Sequence, residues 1–198
     1  MVREEGVNVK KLQTALGVTA DGIAGIGTFT ALFRKLGATA DRAQSLAIAA
    51  NVHFPAYAIM DNPLRLAHFM AQLCHESGSF RYMEELASGQ AYEGRADLGN
   101  TQPGDGKRYK GRGPLQITGR ANYRRFGRKI GIDIESAPEI AANPSVGLHL
   151  ALEYWRACGL NTFADADNVT AITKAINGGL NGFDDRKAHL AKIKGWLL

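Results

Sequence analysis

The sequence predicts a mainly α-helical fold, and three observations predict it. Apolar residues recur at helical spacing through most of the chain, as in Leu66, Phe69, Met70 and Leu73. Asn62-Pro63 and Asn143-Pro144 each set a capping amide before a proline suited to a first helical turn. Between residues 88 and 119 the pattern breaks, and Gly89, Gly94, Gly99, Gly104, Gly106, Gly111, Gly113 and Gly119 replace it. Helices are therefore expected around one glycine-rich loop or small hairpin region, and long irregular segments inside compact domains usually carry function.

In chain order, Val9, Leu12 and Leu16 share a helical face that Gly17 stops. Asp21-Gly22 and Gly25-Ile26-Gly27 mark turns, and Thr28 is expected to cap a second short helix carrying Leu32, Phe33 and Leu36 inward before Gly37. So short a unit buries little core alone, so residues 1–37 form a small module expected to pack on a larger domain of residues 38–198. There Thr39 caps a helix with Ala43, Leu46, Ala47 and Ala50, and the helix from Pro63 runs to Gly78. Helical patterning resumes at Arg120 with Tyr123, Phe126 and Ile130. Further helices run from Asn143-Pro144 through Leu150, Tyr154 and Trp155 to Gly159, from Asn168 to Ile176, and from Asp184 to near Trp196.

Composition narrows the class. The 198 residues are 45% hydrophobic and 22% charged, with 23 Gly and 6 Pro, an ordinary globular balance rather than a disordered one. No run approaches the roughly 18 apolar residues of a membrane span, so stable membrane insertion is not expected. Met1-Val2-Arg3-Glu4-Glu5 lacks the apolar core of a signal peptide, which predicts accumulation in the cytoplasm. Two cysteines, Cys74 and Cys158, make no disulfide scaffold. The 24 Lys and Arg against 19 Asp and Glu give a net charge of +5, and nine cations lie between Lys107 and Lys129 without one acidic residue. An anionic partner fits: a wall polymer, a membrane surface or nucleic acid. No nucleic-acid motif accompanies the charge, so nucleic acid is not expected.

Glu76 is the most informative residue. It continues the line Leu66, Phe69, Leu73 by a step of three, which sets a carboxylate at the end of a core-facing stripe, in the last turn of its helix. Desolvation and the helix dipole both disfavour its charge there, as a general acid requires. Glycoside hydrolysis needs a second carboxylate. A turn at Gly78 can bring Glu84-Glu85 across a cleft, and Asp97 and Asp105 are rivals on spacing alone. Other chemistries lack their residues. His75-Glu76 is followed by Ser79 where a zinc protease needs His, and Gly104-Asp105-Gly106-Lys107 is followed by Arg108 where a phosphate loop needs Ser or Thr. No metal ion or nucleotide cofactor is expected. His53, His68 and His149 read as packing or surface residues, and Cys74 as core.

The stretch Ala71-Gln72-Leu73-Cys74-His75-Glu76-Ser77-Gly78-Ser79-Phe80 resembles the catalytic-acid motif of glycoside hydrolase family 19, the chitinase-like lysozymes. Tyr92-Glu93-Gly94-Arg95 and the run Tyr109-Lys110-Gly111-Arg112-Gly113-Pro114-Leu115-Gln116-Ile117-Thr118-Gly119-Arg120-Ala121-Asn122-Tyr123 resemble that family's signature in the form carried by bacteriophage endolysins. Asn143-Pro144, Tyr154-Trp155, and Ile176-Asn177-Gly178-Gly179 with Arg186 match its C-terminal half. Residues 1–37 are similar to peptidoglycan-binding modules, though shorter and with Ile26 where proline is common.

The resemblance implies a two-lobed, lysozyme-like helical domain. In it Glu76 is the general acid, Glu85 the general base, and Thr118 holds the attacking water. It further implies an inverting displacement on the glycan of peptidoglycan that lyses a host cell. Gln116, Asn122 and Asn177 match substrate-contacting amides, while Tyr109 and Tyr123 are expected to pack on sugar faces. Arg186 is expected to pair with a catalytic carboxylate, keeping the base ionised while Glu76 stays protonated, and His75 to support the site. The implied protein is a monomer without cofactor, released from the host cytoplasm to the wall by a separate holin-like partner. A chitinase acting on N-acetylglucosamine polymers and a non-hydrolytic wall-binding protein are the alternatives.

Overall fold

The structure, a computed structural model, describes residues 6–198. It is mainly helical: α1 (Val9–Leu16), α2 (Ile26–Lys35), α3 (Ala40–Ala56), α4 (Pro63–Glu76), α5 (Asp105–Arg108), α6 (Arg120–Ile130), α7 (Pro144–Ala157), α8 (Leu160–Asp165), α9 (Val169–Asn177) and α10 (Phe183–Leu197). The capping signals act as expected where the cap is an amide. Asn62 accepts from Leu64 N, Asn143 from Ser145 N and Asn168 from Ala171 N. Asn8 does the same for α1. Thr28 does not cap α2, which begins earlier, after Gly25. Its hydroxyl instead accepts from the buried Gln13 amide (3.0 Å), which also binds Asp21 and Gly22 and so pins the turn between α1 and α2. Helices α5 and α8 went unanticipated because four and six residues are too few to display a period.

Two hydrophobic clusters make the two lobes. The larger draws on α1 to α4 and α7 to α10, with Leu12, Phe33, Phe54, Phe69, Leu148 and Trp155 fully or almost fully buried. The smaller gathers Tyr109, Ile117, Tyr123, Phe126, Ile134, Ala141 and Leu150. Helix α7 belongs to both: Leu148, Ala151, Leu152 and Trp155 face the larger core, Leu150 the smaller, and the half-buried Tyr154 touches each. The lobes therefore share one rigid spine.

The N-terminal helices are built into the larger core. Phe29 meets Phe54 edge-on at 5.3 Å, Phe33 meets Phe80 at 5.2 Å, and Val7 N donates to Met60 O. In the glycine-rich region the chain makes a minimal hairpin rather than a regular sheet. Arg112 and Ile117 exchange both backbone hydrogen bonds, and Glu84 pairs antiparallel with Arg112. Among the described residues no helix is long and apolar enough to cross a membrane.

Candidate active site

Helix α4 delivers Glu76. Its apolar face, Leu66, Phe69 and Leu73, is fully buried, and Glu76 ends the helix with its side chain 19% exposed. Helix α10 packs along α4 and brings Arg186 to the same place. Arg186 is 1% exposed, and burial of a guanidinium demands a counter-charge and hydrogen-bond acceptors. They are Glu76 Oε1, which accepts from Nη2 at 2.5 Å, the Gln72 side-chain oxygen, and Asn181 O. This corrects the expected division of labour: Arg186 sits on Glu76 and not on the second glutamate, because residue 186 reaches the end of α4 while Glu85 lies on the loop beyond. Next to it, His75 Nδ1 lies 2.7 Å from the Asp185 carboxylate. The imidazole packs against Gly182, where an added Cβ would lie only 2.0 Å from the ring.

The hairpin delivers Glu85. Its backbone N donates to Gly111 O, and Lys110 Nζ donates to its carbonyl. Its carboxylate accepts from the Tyr92 hydroxyl and from Gly111 N, both at 3.1 Å. Glu84, one step away on extended chain, points to the other side and pairs with Lys110 and Arg112. A Cβ on Gly111 would lie 2.6 Å from Gln116 Oε1 and 3.3 Å from both Glu85 Oε2 and Thr118 Oγ1. Three side-chain oxygens thus converge over a residue that has no side chain of its own. Gln116 Nε2 is held by Gly113 O, Thr118 Oγ1 donates to Gln116 O, and Asn122 Nδ2 donates to Thr118 O.

Gln116, Thr118 and Asn122 line a cavity of about 220 Å³ together with Tyr154 and Ile176. Tyr154 donates to Ala175 O and packs on Phe126. Burial first, then Cys158 and the Glu76 charge, push its phenol up to about 12. The Glu76 charge is therefore felt at the wall of the cavity that Thr118 faces. Asn177 is exposed at the end of α9, one residue past Ile176.

Two expectations fail. Tyr109 and Tyr123 are 2% and 0% exposed, so neither ring is open to a sugar. They pack on each other at 5.3 Å as the centre of the smaller core, with Tyr109 donating to Glu135 O and Tyr123 to Lys110 O. The rival carboxylates are otherwise engaged. Asp97 forms a surface pair with Arg95. Asp105 is buried against Arg120; burial alone would raise its pKa, but Arg120 and backbone N–H groups hold it below the usual range.

Gln72, Tyr92, Gly111, Tyr154 and Asp185 take part in this arrangement without having been assigned roles. Tyr92, Gly111 and Tyr154 lie within the motifs that carry the resemblance, and Gln72 left a signal of its own, a polar residue one helical turn before Glu76 on an apolar face. Among the described residues no group of three or more His, Cys, Asp or Glu is arranged to hold a metal ion.

A family model described as class I chitinase matches residues 44–171. A Haemophilus influenzae protein described as containing a glycosyl hydrolase family 19 domain is 34% identical over 156 residues, covering 63% of this chain and 76% of that one. An endochitinase of Arabidopsis thaliana is 38% identical over 134 residues, covering 67% of this chain and 45% of that one, so the chain spans about half the length of such plant relatives. In fold, the crystal structure of chitinase C from Streptomyces griseus aligns with a TM-score of 0.71 at 22% identity, covering 88% of this chain and 94% of that one. A class IV chitinase from Zea mays aligns at 0.64 and 23% identity, covering 84% and 90%.

Proposed function

The chain belongs to glycoside hydrolase family 19, and on that premise we propose that it is an endolysin, hydrolysing β-1,4 bonds of bacterial peptidoglycan by an inverting acid/base reaction. The observation that carries the mechanism is the convergence of Glu85, Thr118 and Gln116 over Gly111, together with a Glu76 held by Arg186, which Gln72 braces in turn.

Glu76 gives its proton to the glycosidic oxygen as the bond to the anomeric carbon breaks, and the bonding pair stays on the leaving oxygen. Glu85 takes a proton from a water whose oxygen forms the new bond from the opposite face, with the Thr118 hydroxyl orienting it. Solvent then restores both carboxyl groups. Inversion requires room for that water, about 6.5–9.5 Å between the carboxyls. Arg186, itself held by the Gln72 side-chain oxygen, fixes the direction of Glu76, and Tyr92 and Gly111 N fix Glu85, so that little ordering remains when the sugar arrives. Gln116, Asn122 and Asn177 offer amides to acetamido and hydroxyl groups.

Peptidoglycan is preferred over chitin on charge: the net +5 favours a polymer bearing carboxylates. The enzyme acts as a monomer on the wall after a membrane-permeabilising partner releases it. The second reading, a chitinase, rests on the 32–38% identity to plant chitinases and endochitinases. Reducing ends released from purified peptidoglycan and from colloidal chitin, measured side by side, separate the two. Faster release from peptidoglycan supports the endolysin; faster release from chitin replaces it with the chitinase. An initial product of retained anomeric configuration, seen by NMR, would refute inversion.

A further inference from the structure

Helix α6 carries more positive charge than its surroundings neutralise. Its inner face, Tyr123, Phe126 and Gly127, closes the smaller core, and Asn122 at its edge lines the cavity beside Thr118. The outer face presents Arg124, Arg125, Arg128 and Lys129, which with Ala121 line an open groove of about 500 Å³. Arg124 is committed to Glu135, with contacts of 2.7 and 2.6 Å. Among the described residues Arg125, Arg128 and Lys129 form an ion pair with no carboxylate. Arg125 lies over the ring of its neighbour Phe126.

Their placement ties the charge to the cleft. Asn122, Arg125 and Lys129 stand at i, i+3 and i+7, one stripe of the helix spanning about 10 Å outward from the cavity. The Arg125 charge, like that of Glu76 but with opposite sign, is felt at the Tyr154 hydroxyl on the cavity wall. Three cations held within two helical turns repel one another, a cost that an anionic partner removes.

Resting on the proposed function, we propose that the Arg125, Arg128 and Lys129 face of α6 is a specificity surface that binds the carboxylates of the lactyl-peptide stems projecting from a peptidoglycan strand in the cleft. Chitin bears no such groups, so this face discriminates between the two polymers without touching the bond that breaks. Contacts of this exposed kind act through Coulomb attraction and weaken with salt.

The test is the triple variant Arg125→Gln, Arg128→Gln, Lys129→Gln in the full chain, with unchanged melting confirming that it folds. KM for soluble peptidoglycan fragments should rise roughly tenfold at low salt, since three exposed ion pairs are lost together. The salt dependence of KM should flatten, while kcat/KM on uncharged N-acetylglucosamine oligomers stays within about twofold. Equal losses on both substrates, or none on either, overturn the proposal. So does loss of duplex-DNA binding with an unchanged KM on peptidoglycan, which would give the face to nucleic acid. Wild-type protein that releases no ends from peptidoglycan sinks the endolysin reading itself, and this inference with it, before any variant is compared.

Discussion

Arg186 Nη2 lies 2.5 Å from Glu76 Oε1, a buried guanidinium on the carboxyl group proposed to protonate the leaving sugar. The pair joins the first turn of α10 to the last turn of α4, residues 110 positions apart. It makes the direction of Glu76 a property of the larger core rather than of a frayed helix end.

Replacing Arg186 by Met leaves Glu76 and Gln72 without their partner, and should destabilise the protein by about 3 kcal/mol at pH 7. Arg186→Lys restores charge but not the fork that spans both acceptors, and should recover less than half of that loss. Urea denaturation of the three proteins checks both numbers.

Gly111→Ala should separate activity from stability. Its Cβ would collide with the tip of Gln116, a flexible side chain that can move aside cheaply. Moving it disorders the oxygens proposed to hold the attacking water, so turnover should fall by up to about 10²-fold with little change in melting. A large drop in melting with turnover intact would show that Gly111 serves the hairpin instead.

The imidazole of His149 stacks on His53 at 3.8 Å, with Nε2 3.0 Å from the Tyr57 hydroxyl. Burial first, and then the His53 charge, hold its pKa down to about 4, against the ordinary 6.5. Between those values the unfolded chain binds a proton that the folded one does not, so this group's contribution is complete above pH 6.5 and is lost as pH falls toward 4. Melting temperatures of His149→Gln should therefore decline less than wild type across that window. Parallel curves would remove His149 from the acid response.

Residues 1–37 should prove inseparable from the remainder. Phe33 packs on Phe80, in the turn between Glu76 and Glu85, and Arg42 of α3 holds the Phe80 and Arg81 carbonyls. Deleting 1–37 removes Phe33 from Phe80 and Phe29 from Phe54, leaving Arg42 alone to hold that turn. The 38–198 fragment should melt well below the full chain and lose catalysis as well as any wall affinity. Full activity and an unchanged melt in the fragment would make the N-terminal helices a mere appendage.

The legible parts of the sequence were those fixed by neighbours in the chain. Asn62-Pro63, Asn143-Pro144 and the stripe ending at Glu76 each state their structure within a few residues. The pairing of Arg186 with Glu76 depends on how α10 lies along α4, which no local pattern encodes. Tyr109 and Tyr123 misled for a related reason: an aromatic in a signature motif looks alike whether it meets a sugar or closes a core, and only the smaller cluster decides. The hairpin was anticipated as a region, yet the convergence over Gly111 needs the fold of Gln116, whose φ is +54°, outside the usual range for a residue with a side chain.

Glu76 is proposed to protonate a glycosidic bond of peptidoglycan. Digestion of purified peptidoglycan by wild type and Glu76→Gln, with products reduced by borohydride and identified by mass spectrometry, tests that role. New reduced muramic-acid or glucosamine ends are expected from the wild type, identifying which bond is cut. The variant should fold normally and produce them about 10²–10⁴ times more slowly. Near-normal release by Glu76→Gln would contradict the assignment.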